Sequence, residues 1–147
     1  MKTVYSRVDR SQELSFSVAE FALEDLQQFD VNKVHTAVDF DFDKELTRNL
    51  LIVHLCVEVR YDERMVVLTH NCIYEFFVPK LEELLDDRRE LEHASVLEFV
   101  YESYALSRGM IAVRTLGFGI HDFPLPFLPR EQMLEKLEVQ VQAKRKA

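Results

Sequence analysis

The chain changes its hydrophobic period near Pro79: apolar residues recur every second position before it and every three to four positions after it. Strands side by side with no helix between them leave no room for parallel crossovers, so the first half is expected to form an antiparallel sheet. The second half is expected to be helical. The predicted class is α+β: a four-stranded antiparallel sheet over 14–78, then a long helix and a C-terminal helix within 80–147, in one domain spanning 1–147. A chain of 147 residues sits at the commonest domain size.

The first strand is read from Phe16 and Val18, then Phe21 and Leu23, with a bulge at Ala19-Glu20 where the phase slips. In the second, Val34, Thr36, Val38, Phe40 and Phe42 share one face and His35, Ala37, Asp39, Asp41 and Asp43 the other. The third carries Leu51, Val53, Leu55, Val57, Val59 and Tyr61 opposite His54, Cys56, Glu58 and Arg60. The fourth carries Val66, Leu68, His70, Cys72, Tyr74, Phe76 and Val78 opposite Thr69, Asn71 and Glu75. A hairpin at Tyr61-Asp62-Glu63-Arg64 joins these two.

Beyond an acidic segment at 80–92, a helix is predicted from about Ala94. Val96, Phe99, Val100, Leu106, Met110 and Val113 lie on one side of it, Leu97, Tyr101, Tyr104 and Ile111 on another. A surface helix has one apolar stripe. Two stripes imply cover on both sides, by the sheet and by a neighbouring subunit, with Phe99, Tyr101, Tyr104 and Met110 as the candidate oligomer interface. Gly117 and Gly119 are expected to end the helix, Pro124, Pro126 and Pro129 to stiffen a connector, and a last helix to start near Arg130 with Met133, Leu134, Leu137 and Val141 on its face.

Several function classes are disfavoured. A net charge of −8 repels phosphate backbones, so nucleic acid is a poor partner. No apolar run reaches the roughly 18 residues that span a bilayer, and the N-terminus has no signal-peptide core, so membrane insertion is not expected and a cytoplasmic location is. Cys56 and Cys72 then read as small buried residues in a reducing compartment.

His54-x-Cys56 and His70-x-Cys72 superficially offer four zinc ligands. A two- or four-residue turn centred on Asp62-Glu63 sets Leu55 opposite His70 and Val53 opposite Cys72, which puts the two pairs on opposite faces. No metal and no cofactor are therefore predicted. Neither cysteine has the electropositive setting a thiolate nucleophile needs, and His93 and His121 fall in polar connecting segments. With Gly only at 109, 117 and 119, no phosphate-binding loop is possible.

Asp39, Asp41 and Asp43 form a ladder with about 7 Å between successive carboxylates, too open for acid–base catalysis on one bond. It reads as a solubilising edge or as a docking surface for a basic partner. Eleven Phe and five Tyr exceed what one small core needs. Phe76 and Phe77 are adjacent and so face opposite ways, and Phe118, Phe123 and Phe127 sit among prolines. Such rings are expected to be covered by other subunits or to line a groove for apolar peptide segments.

The order of elements, with Val100-Tyr101-Glu102-Ser103 ahead of Ser107-Arg108-Gly109, the Phe123-Pro124-Leu125-Pro126 connector, the helix start at 129–137 and the strand at 18–26, resembles the SecB export chaperones and their SecB-like relatives over about residues 14 to 140. The resemblance implies a homotetramer, a dimer of dimers with long helices packed between sheets, and an apolar groove that holds unfolded polypeptides without nucleotide. It also implies acidic residues that dock the export motor ATPase. Asp25 matches one of these; the acidic position expected early in the fourth strand is occupied by residues 65–67, which leaves Asp39, Asp41 and Asp43 as the substitute. A longer connector around 114–122 is closer to the SecB-like group, some of which guard antitoxins.

The function expected first is a holdase whose groove is lined by Tyr74, Phe76, Phe77, Phe118, Phe123, Phe127 and Leu134, with no enzymatic activity. The second reading is an interaction protein of the same fold dedicated to one partner, such as an antitoxin. The third is a small-ligand binder or enzyme with His70 and Tyr74 as its polar fixtures.

Overall fold

A computed structural model describes residues 5–19, 30–115 and 129–146. Strands β1 (Arg7–Val18), β2 (Val34–Glu45), β3 (Leu50–Tyr61) and β4 (Met65–Phe77) form one antiparallel sheet in the order β1-β4-β3-β2. The helices α1 (His93–Arg114) and α2 (Arg130–Lys146) follow. This is the predicted class, reached with strand bounds close to those read from the alternation for β2, β3 and β4.

β1 differs. It begins at Arg7, and among the described residues its bulges fall between Val8 and Arg10 and between Glu13 and Ser15; the bulge expected at Ala19-Glu20 involves Glu20, which lies outside the described residues. Phe21 and Leu23 lie outside the described residues. The stretch from Arg7 to Glu13 has no apolar alternation because most of its side chains are exposed on both faces; main-chain pairing with β4 makes it a strand. Among the described residues the sheet edges are therefore β1 and β2.

The core face of the central strands carries Leu51, Val53, Leu55, Val57 and Val59 of β3 and Leu68, His70, Cys72, Tyr74 and Phe76 of β4, all buried. α1 covers this face with Val96, Leu97, Phe99, Val100, Ser103, Tyr104, Ser107 and Ile111. Leu106 and Val113, assigned above to a buried stripe, are exposed at 37% and 68%. Two serines take the inward positions instead: Ser103 Oγ donates to the Phe99 carbonyl at 2.7 Å, and Ser107 Oγ lies 2.5 Å from Tyr74 Oη. Small hydroxyl side chains let the helix approach the sheet and satisfy the buried phenol. α2 buries Met133 and Leu137, with Leu134 and Val141 half-buried at the margin of the core.

Register in the β3–β4 hairpin is displaced by two residues from the expectation. Val57 faces His70 and Leu55 faces Cys72, because a three-residue connection combines with an irregularity between Val59 and Arg60. An even displacement preserves the faces, so His54 and Cys56 lie on the outer face and His70 and Cys72 on the core face.

The turn itself places Asp62 and Glu63 at φ of 54° and 57°, with Arg64 N donating to Tyr61 O at 3.2 Å. Two consecutive left-handed residues define a type I′ turn, in which glycine is favoured at the second central position. Glu63→Gly is expected to raise stability by about 1 kcal/mol through relief of the left-handed penalty. Its urea midpoint is the check, and an unchanged or lower midpoint would contradict the turn assignment.

Candidate functional site

α2 runs beside the edge strand β2 and binds it through main-chain contacts. Lys136 Nζ donates to the Val38 carbonyl at 2.6 Å and Gln140 Nε2 to the Phe40 carbonyl at 2.5 Å. The geometry is commensurate: residues i and i+4 on a helix are separated by about 6 Å along its axis, and residues i and i+2 on a strand by about 6.6 Å. Lys136 also stands 3.7 Å from Asp39 Oδ1. Burial of Met133 and Leu137 holds the helix in place, and the two polar side chains set its register against the strand.

Two depressions open along this junction. One, of about 280 Å³, has Phe42, Leu91 and Val141 as apolar lining, with Asp43, Lys44, Glu90 and His93 around them. The other, of about 500 Å³, is bounded by Asp39, Gln132, Glu135, Lys136, Val139 and Gln140. The first is at the small end for a metabolite pocket and suits a single apolar side chain; the second is a shallow polar trough. His93, read above as part of a polar connecting segment, is instead the first residue of α1 and half-buried.

The acidic ladder serves the same edge. Asp41 Oδ1 accepts from the amide of Phe42 at 2.9 Å, and Asp43 Oδ1 accepts from the amide of Lys44 at 2.8 Å. Asp39, Asp41 and Asp43 remain exposed to solvent, while two of them occupy outward main-chain donors of β2.

The groove residues predicted from sequence separate. Tyr74 and Phe76 are fully buried under α1, with the Phe76 ring 5.0 Å from that of Phe99, so in this chain they are core rather than groove wall. Phe77 is on the outer face, half-buried, under the Arg7 guanidinium at 4.9 Å. Among the described members of the set, Leu134 is the one at the α2 margin of the core. Phe118, Phe123, Phe127 and Asp25 lie outside the described residues. Of the interface candidates, Phe99 and Tyr104 are buried in the core, whereas Tyr101 and Met110 are half-buried, and helical spacing sets Met110 but not Tyr101 beside the exposed Leu106 and Val113.

The titratable groups of the core face, and Cys56 on the outer face, are tuned away from reactivity. Burial pushes the Cys72 thiol up, and burial together with Asp39 and Glu58 does the same to Cys56, so neither is a ready thiolate. Burial raises the Tyr74 phenol well above its ordinary value against the weaker pull of Ser107. His70 is held below its ordinary value by burial, with Glu13 opposing. Among the described residues no three of His, Cys, Asp and Glu are grouped to hold a metal ion, and no helix is long and apolar enough to cross a membrane.

Sequence reasoning did not single out Glu13, Arg114, Lys136 or Gln140. Hydropathy carries no sign of them, since each acts through a hydrogen bond to a distant residue; Lys136 and Gln140 share a helix face by their spacing, which is the one signal available.

No family model matches the sequence, and no curated protein matches it. In the solved structures, the chain is similar to a SecB-like chaperone, Rv1957 of Mycobacterium tuberculosis, in complex with a ChAD peptide from the Rv1956 HigA1 antitoxin. The two share 15% identity at a TM-score of 0.53, over 84% of this chain and 90% of that one. At that identity the likeness concerns the fold: a four-stranded antiparallel sheet with two helices, in the SecB-like arrangement.

Proposed function

We propose, from the SecB-like fold, that the protein is a nucleotide-independent chaperone that holds extended apolar segments of non-native polypeptides at the junction of β2 and α2. The observation that carries this reading is the cleft of about 280 Å³ floored by Phe42, Leu91 and Val141, beside an edge strand. An apolar socket for one side chain next to an edge strand suits recognition of extended peptide, and it does not suit catalysis. The raised thiols of Cys56 and Cys72 and the raised phenol of Tyr74 supply no nucleophile at neutral pH, in keeping with a non-enzymatic role.

The exposed apolar stripe of α1 at Leu106 and Val113, with the half-buried Met110 between them, is the surface for association with further copies, in a dimer of dimers. A stable monomer at micromolar concentration in analytical ultracentrifugation would remove that part. The cytoplasm, an export pathway and its motor ATPase complete the reading as the setting and partner that fit a holdase of this fold.

A second reading, a chaperone dedicated to one partner such as an antitoxin, is favoured by the peptide that accompanies the mycobacterial neighbour. Light scattering of chemically denatured client proteins separates the two. Suppression of aggregation at near-stoichiometric ratio, across unrelated clients, is expected for the general holdase. Suppression of none of several clients favours the dedicated form, and turnover of any added substrate overturns both.

A further inference from the structure

An edge strand presents a row of main-chain donors and acceptors to whatever can pair with it. On β2 four such groups share one strand parity, so they point the same way, off the sheet: the carbonyls of Val38 and Phe40 and the amides of Phe42 and Lys44. Each is taken by a side chain of this chain. Lys136 and Gln140 reach the carbonyls from α2, and Asp41 and Asp43 fold back onto the amides.

We infer that β2 is a peptide-accepting edge kept shut by these four side chains, and that an extended polypeptide enters as a fifth strand by displacing Lys136 and Gln140 from the Val38 and Phe40 carbonyls. The inference rests on the holdase reading above and adds how its site opens.

Three features point to displaceable plugs. Each plug is a single long or flexible polar side chain, and exchanging its bond for a client N–H conserves the hydrogen-bond count while the freed side chain is rehydrated. Gln140 Oε1 is buried without a partner, so the closed state holds an unsatisfied acceptor that release would return to water. The apolar cleft at Phe42, Leu91 and Val141 lies at the next outward residues of the same edge. A strand added there would direct alternate side chains to the core side, where this socket takes one. The occupant is thus an extended segment with apolar residues at every second position. Met133 and Leu137, which anchor α2 on the sheet, are buried apart from these two bonds, so release of Lys136 and Gln140 does not require α2 to leave the sheet.

The test uses the full chain and a fluorescein-labelled, lysine-flanked (Val-Thr)4 peptide, with two further versions N-methylated at alternate residues in one or the other phase. Fluorescence anisotropy is expected to show binding of the parent peptide and loss of at least about tenfold for one methylated phase only, since a strand added at an edge uses the N–H groups of one phase. The double variant Lys136→Met, Gln140→Leu keeps the apolar stems, removes both donors, and is expected to bind the parent peptide about tenfold more tightly. Equal binding of all three peptides to the wild-type protein overturns the edge mechanism and leaves the holdase reading standing, and this arm needs no variant to fold. Unchanged or weaker binding by a folded double variant also overturns it. Self-association of that variant without peptide would show that the edge takes a second copy and not a client. Absence of binding by every form, with no suppression of client aggregation, removes the holdase reading as well.

Discussion

Replacing Phe76 by alanine is expected to destabilise the protein by about 3–5 kcal/mol, the range for deleting a fully buried aromatic ring. Phe76 is 0% exposed, lies opposite Leu51 on β3 and Val8 on β1, and packs its ring 5.0 Å from Phe99 on α1 and 6.5 Å from Tyr74. The ring therefore ties the sheet to its helix, and its loss leaves a void bounded by two elements that cannot close independently. Small domains have only about 5–15 kcal/mol to lose, so the variant should be marginal at 37 °C. Urea unfolding is expected to show a large fall in midpoint with the slope unchanged. Phe77→Ala is the control: its ring is half-buried on the opposite face against Arg7, and its removal should shift the midpoint much less. Equal losses for the two variants would mean that the face assignment of β4 is wrong.

The contrast between these adjacent phenylalanines also marks what sequence could convey. Alternation placed β2, β3 and β4 almost to their ends, because each has one covered face and one wet face. β1 was legible only from Phe16 and Val18 onward, since Arg7 to Glu13 owe their strand to main-chain pairing and bury little. On α1 the hydropathy pattern ranked Leu106 and Val113 above Ser103 and Ser107, and the structure reverses the order. What decides there is contact with Tyr74 and the Phe99 carbonyl, and hydropathy does not register that.

The same limit applies to the site. Tyr74 and Phe76 were read as groove walls because a surplus of rings suggests exposed use, yet the long helix covers them. The acidic ladder was visible as a regular spacing, but its bonds to the Phe42 and Lys44 amides depend on side-chain conformations that no periodicity encodes. Lys136 and Gln140 gave no apolar signal at all. Their partners, Val38 and Phe40, are 98 and 100 residues earlier in the chain.

Acid is expected to destabilise this protein through His70 before general carboxylate protonation begins. The imidazole is fully buried on the core face of β4, with Nε2 at 3.2 Å from Glu13 Oε2, and Glu13 Oε1 in turn 2.5 Å from Arg114 Nη1. Because an ionised carboxylate only accepts, Glu13 selects the tautomer with the proton on Nε2, and Nδ1 is left buried without a partner. Arg114 lies over the Phe16 ring at 4.5 Å, so the cluster joins β1, β4 and the end of α1. Burial lowers the His70 pKa below 6.5, Arg114 adds to this, and Glu13 opposes without prevailing. The unfolded chain therefore binds more protons than the native one in the window from 6.5 down to the depressed native value, and stability rises with pH across that window. The urea midpoint should be level from pH 8 to about 6.5 and fall as the pH is lowered further. His70→Gln should abolish that fall. Glu13→Ala should cost about 1–3 kcal/mol at pH 7, by leaving a buried donor unsatisfied, and should steepen the acid loss, because the carboxylate that favours the imidazolium is gone. A wild-type midpoint that holds steady down to pH 5, or a Glu13→Ala protein that resists acid better than its parent, would show that Glu13, not burial, governs the proton on His70.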